Sequence, residues 1–121
     1  MMKKWDVNVS EQYEEWWNTL NEVQQISVSA SVKLLAELGP ILGFPHSSGV
    51  EQSKHPHMRE LRIQHRGKPY RVLYAFDPSR AAILLLGGDK TGNARWYEEN
   101  ISKADKIYDA HLKRYFGKKR R

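Results

Sequence analysis

A chain of 121 residues with a formal net charge of +6 and no cysteine holds one domain's worth of sequence. Without thiols it carries neither disulfides nor thiolate metal sites, in keeping with a reducing compartment. Its longest apolar run, Ala81 to Leu86, falls far short of the roughly 18 residues of a membrane span; the charged start at residues 1–6 has no apolar stretch behind it to make a signal peptide, so the expectation is a soluble, cytoplasmic protein.

The chain should open with a strand from Lys4 to Val9, where Trp5, Val7 and Val9 alternate with polar residues in the period-two pattern of a half-buried strand. Ser10 reads as a helix N-cap followed by Glu11, Glu14 and Glu15, because negative charge is favoured at a helix start. Asn21 can cap a second helix whose Val23, Ile26, Ala30, Leu34 and Leu38 recur at helical spacing. Gly39-Pro40 stops it, and Ile41 to His57 reads as a loop rich in Pro, Gly, Ser and His.

A second strand is expected around Leu61 and Ile63. A hairpin connection follows at His65 to Pro69, then a strand alternating Tyr70, Val72, Tyr74 and Phe76. Asp77-Pro78-Ser79-Arg80 is a turn. Ala81 to Leu86 is apolar on both faces, as a central strand would be, with Gly87-Gly88 expected to end it. A third helix should run from about Asn93 to Tyr115, leaving 117–121 as a basic tail behind a single domain at 1–116. The order of strand, two helices, three strands and helix defines an α+β fold, with helices packed on a small, mostly antiparallel sheet.

Charge divides the chain. Residues 1–57 hold four Lys and Arg against seven Asp and Glu, a net of −3, whereas residues 58–121 hold sixteen against seven, a net of +9. Such asymmetry fits a polyanionic partner, nucleic acid first among them, although solubility and a basic tail account for charge alone equally well.

The hairpin sharpens this. If Leu61 pairs with Val72 and Ile63 with Tyr70 to share a core face, Arg62 falls opposite Arg71 on the other face. Like charges opposite one another on a sheet are destabilising, so the pairing points to an anion held between them. Lys90 follows the next strand at the same end of the sheet, and Tyr97 comes within two helical turns. RNA cleavage without metal needs a base for the 2′-hydroxyl, cations for the phosphorane and an acid for the leaving oxygen. Arg62, Arg71 and Lys90 are candidates for the cations, Lys90 also for a proton shuttle, and Tyr97 for stacking on a base or orienting the phosphate. Glu60 and His65 are spare candidates for the base, His65 being expected exposed in its turn. Arg66, Lys68 and Arg95 are candidates for RNA binding.

The segment Met58-Arg59-Glu60-Leu61-Arg62-Ile63, the run Tyr70-Arg71-Val72-Leu73-Tyr74, the apolar strand Ile83 to Leu86, and Asp89-Lys90 before a helix resemble the RelE/ParE toxin superfamily, and within it the HigB-like branch found in phages and bacterial chromosomes. The resemblance is specific from Met58 to Tyr97. It implies the toxin of a type II toxin–antitoxin pair: an endoribonuclease that cleaves mRNA on the ribosome and is silenced by a HigA-like helix-turn-helix antitoxin encoded beside it. The family's basic strand residue falls on Arg62, its Tyr-Arg-aliphatic-aliphatic-Tyr arginine on Arg71, its lysine after the last strand on Lys90 and its downstream tyrosine on Tyr97. The chain departs from the best-known RelE toxins at Glu60, where they carry a basic residue, and at Thr91, where they carry an arginine; Arg66 or Arg95 would have to compensate.

Two other functions share these features. One is a ParE-like inhibitor of a protein such as gyrase, and the other a phage accessory protein that binds RNA without cutting it. Arg62, Arg71 and Lys90 together favour the nuclease. No small-molecule cofactor, metal or membrane is expected. His55-Pro56-His57 lacks a third ligand nearby, and Gly87 to Thr91 lacks the spacing of a phosphate-binding loop. The antitoxin should bring an acidic or amphipathic segment to the basic groove.

Overall fold

A computed structural model describes residues 5–117. The elements are β1 (Val7–Val9), α1 (Glu11–Asn18), α2 (Glu22–Leu38), a 3-10 turn (Gly39–Ile41), β2 (Ser47–Gly49), β3 (Arg59–His65), β4 (Lys68–Phe76), β5 (Ala82–Asp89) and α3 (Trp96–Phe116). The expected tail beyond Gly117 and the strand residue Lys4 lie outside the described residues. The α+β expectation holds, with one strand more than expected: the sheet has five, in the order β1-β5-β4-β3-β2, antiparallel except where β1 runs parallel to β5. Among the described residues, no helix is long and apolar enough to cross a membrane.

The starts of α1 and α2 are capped as the sequence demands. Ser10 Oγ accepts from the Tyr13 N–H at 3.0 Å and donates to the Leu85 carbonyl at 2.7 Å, tying α1 to the sheet. Asn21 and Gln24 form a reciprocal capping box at α2.

The sheet has a core on each face. Against one, α1 and α2 bring Tyr13, Val28 and Leu35 onto Leu61, Ile63, Tyr70 and Val72. Against the other, α3 brings Trp96, Ile101, Ala104 and Tyr108 onto Met58, Leu73, Ile83 and Leu85. Successive strand residues alternate faces, so Glu60, which pairs with Leu73, shares the α3 face with Arg62 and Arg71.

Gly87 and Gly88 do not end β5, contrary to expectation; the strand continues to Asp89. Two tryptophans explain them. A Cβ on Gly87 would run into the ring of Trp16, and one on Gly88 would lie 2.7 Å from Trp96 Nε1. The glycines let one indole lie flat on each face. Gly88→Ala should therefore destabilise the protein by about 1–3 kcal/mol through overpacking, read as a lower urea midpoint at unchanged slope.

α3 is latched to two loops. Asp105 accepts from Ser53 Oγ at 2.5 Å and from the Lys54 N–H at 3.1 Å, and Asp109 pairs with Lys54 and His55. His111 Nε2 lies 2.8 Å from Asp77 Oδ2 in the β4–β5 turn. Burial pushes the Asp77 carboxyl up, but hydrogen bonds from Ser79, His111 and the Ala81 N–H outweigh it and hold the group below its ordinary value. A carboxyl lowered in this way stabilises the fold at pH values above its unfolded pKa of 3.8, and that stability drains away as pH falls through the folded value. Asp77→Asn should thus lower the melting temperature at neutral pH, with the gap to wild type closing on acidification; a gap independent of pH would remove Asp77 from the linkage.

Candidate active site

β3 and β4 pair as the alternation requires, with Leu61 against Val72, Arg62 against Arg71 and Ile63 against Tyr70. The two arginines do face each other, and the group between them is a carboxylate. Glu60 Oε2 accepts from Arg62 Nη1 at 3.2 Å and from Ser48 Oγ at 2.8 Å. Its Oε1 lies 3.4 Å from Arg71 Nε and accepts from the Tyr97 hydroxyl at 2.6 Å. Arg71 also donates from Nε to the Tyr97 oxygen at 3.2 Å and from Nη1 to the Tyr70 carbonyl at 3.0 Å. This network offsets the repulsion that two facing cations would otherwise cause.

The cluster has a floor and a rim. The side chains of Glu60 and Arg71 are 5% and 6% exposed, against 30% for Arg62. Tyr97, in the first turn of α3, is half-buried. Burial and the hydrogen bond to Glu60 push its phenol above the usual range, against a smaller opposing pull from Arg71. It stays protonated at neutral pH. Lys90 lies beyond the end of β5, its N–H donating to the Pro69 carbonyl at 3.0 Å and its ammonium 5.6 Å from the centre of the Tyr97 ring. Arg62, Tyr97 and Lys90 thus form the accessible rim over a buried Glu60–Arg71 pair.

The structure brings Arg62, Arg71, Tyr97 and Lys90 together. The three RNA-binding candidates lie outside the network: Arg66 and Lys68 are exposed on the hairpin, and exposed Arg95 donates to Glu98 at 2.8 Å. His65, expected exposed, is buried on the α2 face, with Nδ1 2.6 Å from Ser27 Oγ and its ring stacked on Tyr70. It cannot serve a site on the opposite face. Glu60, expected only as a spare candidate for the base, lies at the centre of the network, and Ser48 was missed. Glu60 stands two residues before Arg62, and on a strand that spacing alone puts them on one face. Ser48 lies on β2, whose Ser-Ser-Gly sequence carries no apolar alternation to betray a strand.

A groove of about 530 Å³ lies elsewhere, between β1, α1 and α2. Val7, Trp17, Val32 and Leu84 make it mainly apolar, with Glu14, Lys33 and Glu37 at its edge.

The fold is that of RelE. A free-state structure of the Escherichia coli toxin RelE, carrying two arginine-to-alanine substitutions, matches 95% of this chain and 100% of its own with a TM-score of 0.54, at 15% sequence identity. The chain belongs to the family described as phage derived protein Gp49-like (DUF891), whose sequence model matches residues 15–109. Two relatives from Mycobacterium tuberculosis are named as toxins. HigB3 is 48% identical over 95 residues, 78% of this chain and 82% of that protein. HigB2 is 39% identical over 113 residues, 92% of this chain but 56% of that longer protein.

Proposed function

We propose that this protein is the toxin of a type II toxin–antitoxin pair, a cytoplasmic, metal-independent endoribonuclease that cleaves mRNA on the ribosome and is silenced by a cognate HigA-like antitoxin. The observation that carries the chemistry is the hydrogen-bonded pair of Tyr97 and Glu60 set among three cations, Arg62, Arg71 and Lys90. Family membership and the HigB relatives support the toxin reading; the basic half of the chain supports an RNA substrate.

In this reading the scissile phosphate sits on the rim. Arg62 donates to its non-bridging oxygens, and the buried Arg71 charge adds to the field that stabilises the phosphorane. The 2′-hydroxyl gives its proton to the Tyr97 oxygen as Tyr97 passes its own proton to Glu60 Oε1. No free phenolate forms, so the raised phenol pKa is no obstacle. The 2′-oxygen bonds to phosphorus, the bond to the 5′-oxygen breaks, and the Lys90 ammonium protonates that leaving oxygen. The products are a 2′,3′-cyclic phosphate and a 5′-hydroxyl.

The test is induced expression in cells with mRNA 5′ ends mapped. Wild type should arrest growth and create new ends bearing 5′-hydroxyls. Lys90→Ala should lower cleavage by about 10²–10⁴-fold as an acid is lost. Arrest with intact mRNA would overturn the nuclease reading in favour of a protein target such as gyrase.

A further inference from the structure

An aromatic ring stands at the open edge of the cationic site. Phe44 is 75% exposed, but the loop that carries it is anchored at both ends, with Leu42 buried two residues before it and Ser47 fully buried three residues after. The N–H groups of His46 and Ser47 each donate to the Gly43 carbonyl at 3.0 Å. The Arg62 N–H donates to the His46 carbonyl at 2.9 Å, fastening the loop to β3 at the site itself. The ring is therefore held outward by its backbone.

Exposed apolar side chains are ordinary on protein surfaces. Phe44 differs in what it touches: the Arg62 guanidinium lies over one ring face, 5.1 Å from its centre. From there the contacts run inward without a break. Arg62 reaches Glu60 at 3.2 Å, and Glu60 reaches Tyr97 at 2.6 Å. Single-stranded RNA is recognised largely by splayed bases stacked on aromatic rings and on guanidinium planes. A ring open to solvent, backed by an arginine that also faces the phosphate position, meets that need.

We propose that Phe44 and Arg62 form a nucleobase subsite that takes the unstacked base beside the scissile phosphate. This rests on the reading of the site as RNA-binding and adds a determinant outside the reacting groups. Stacking is tolerant of sequence because every base has a π-face, so the subsite should favour the larger purines without demanding one.

The probe is a short single-stranded RNA with fluorine at every 2′ position, which blocks attack, and the fluorescent base 2-aminopurine placed at each position in turn. With wild type, fluorescence should be quenched at one position. Phe44→Ala should lose that quench and bind about tenfold more weakly, and Phe44→Trp should restore both. Removing the base at that position should make wild type and Phe44→Ala bind alike, a result a merely structural role would not give. Phe44→Ala should melt like wild type because its ring is exposed. If Phe44→Ala binds and quenches as wild type does while Arg62→Ala weakens binding, the subsite falls and the RNA-binding reading survives. If wild type binds the probe neither free nor loaded on ribosomes, both fall.

Discussion

Arg71→Ala should abolish growth arrest and mRNA cleavage, and it should also weaken the fold. Arg71 is 5% exposed and its guanidinium serves Glu60, Tyr97 and the Tyr70 carbonyl at once. Removing one partner of a buried ion pair costs about 3–5 kcal/mol, because the remaining charge is left poorly compensated. That is a large share of the roughly 5–15 kcal/mol that holds a domain folded. Lost activity would then have two causes, and Arg71→Lys separates them. Lysine keeps the charge but not the planar fork that reaches three acceptors. It should recover much of the melting temperature, while cleavage stays about 10- to 100-fold below wild type because Tyr97 is no longer held by a directed donor. The measurement pairs thermal unfolding with 5′-end mapping for both variants. An Arg71→Ala protein that melts and cleaves as wild type would show that the buried pair positions nothing.

How much of this site could be read from residues alone depends on which part is asked for. The β3–β4 register was legible because Leu61 and Ile63 on one strand, and Tyr70 and Val72 on the other, each demand the same buried face. A one-residue slip would turn one set away from the other and put Arg62 and Arg71 on opposite faces. That constraint fixed the Arg62–Arg71 pairing, and with it the place of Lys90 at the neighbouring strand end. Glu60 was legible as a spare candidate for the base, and its spacing from Arg62 puts it on the same face; its part as counter-ion to both arginines was not, because nothing near it in sequence shows that Arg71 will lie beside it. Its carboxylate is what allows the two arginines to face each other.

Other features depend on contacts between residues distant in the chain. β2 is a strand because Ser47 Oγ and the Tyr74 hydroxyl meet at 2.6 Å and Arg59 Nε donates to Ser47 Oγ at 3.1 Å. No local pattern in Ser-Ser-Gly encodes that. β5 runs through Gly87-Gly88 because Trp16, far away in sequence, and Trp96, from the helix that follows, pack against the two glycines. Leu73 pairs with Leu86 and Tyr74 with Leu84, so Leu85 is an extra residue that puts a bulge in β5. His65 is buried because α2 places Ser27 over it. His111 finds Asp77 across 34 positions of the chain. For β2, the glycines of β5, His65 and His111, the outcome is decided by a side chain arriving from another element.

The sharpest consequence of the proton relay is that Glu60→Gln and Tyr97→Phe should fail together. Each should lower the cleavage rate by about 10²–10⁴-fold, the range for loss of a general base. The double variant should be little worse than either alone, since two groups that act as one unit are non-additive. Their costs to the fold should differ. Tyr97→Phe keeps the ring against Trp96 and removes one hydroxyl. Glu60→Gln keeps the shape but takes the charge from between two guanidiniums, leaving buried Arg71 with a weaker acceptor. Thermal unfolding should therefore show the larger drop for Glu60→Gln, while the rate losses stay alike. Such a split between stability and rate is what a relay requires, because Tyr97 contributes little to neutralising the arginines and everything to connecting the 2′-hydroxyl with the carboxylate. Rate losses that multiply in the double variant would mean that Glu60 and Tyr97 act separately. Glu60 would then be only the counter-ion of Arg62 and Arg71.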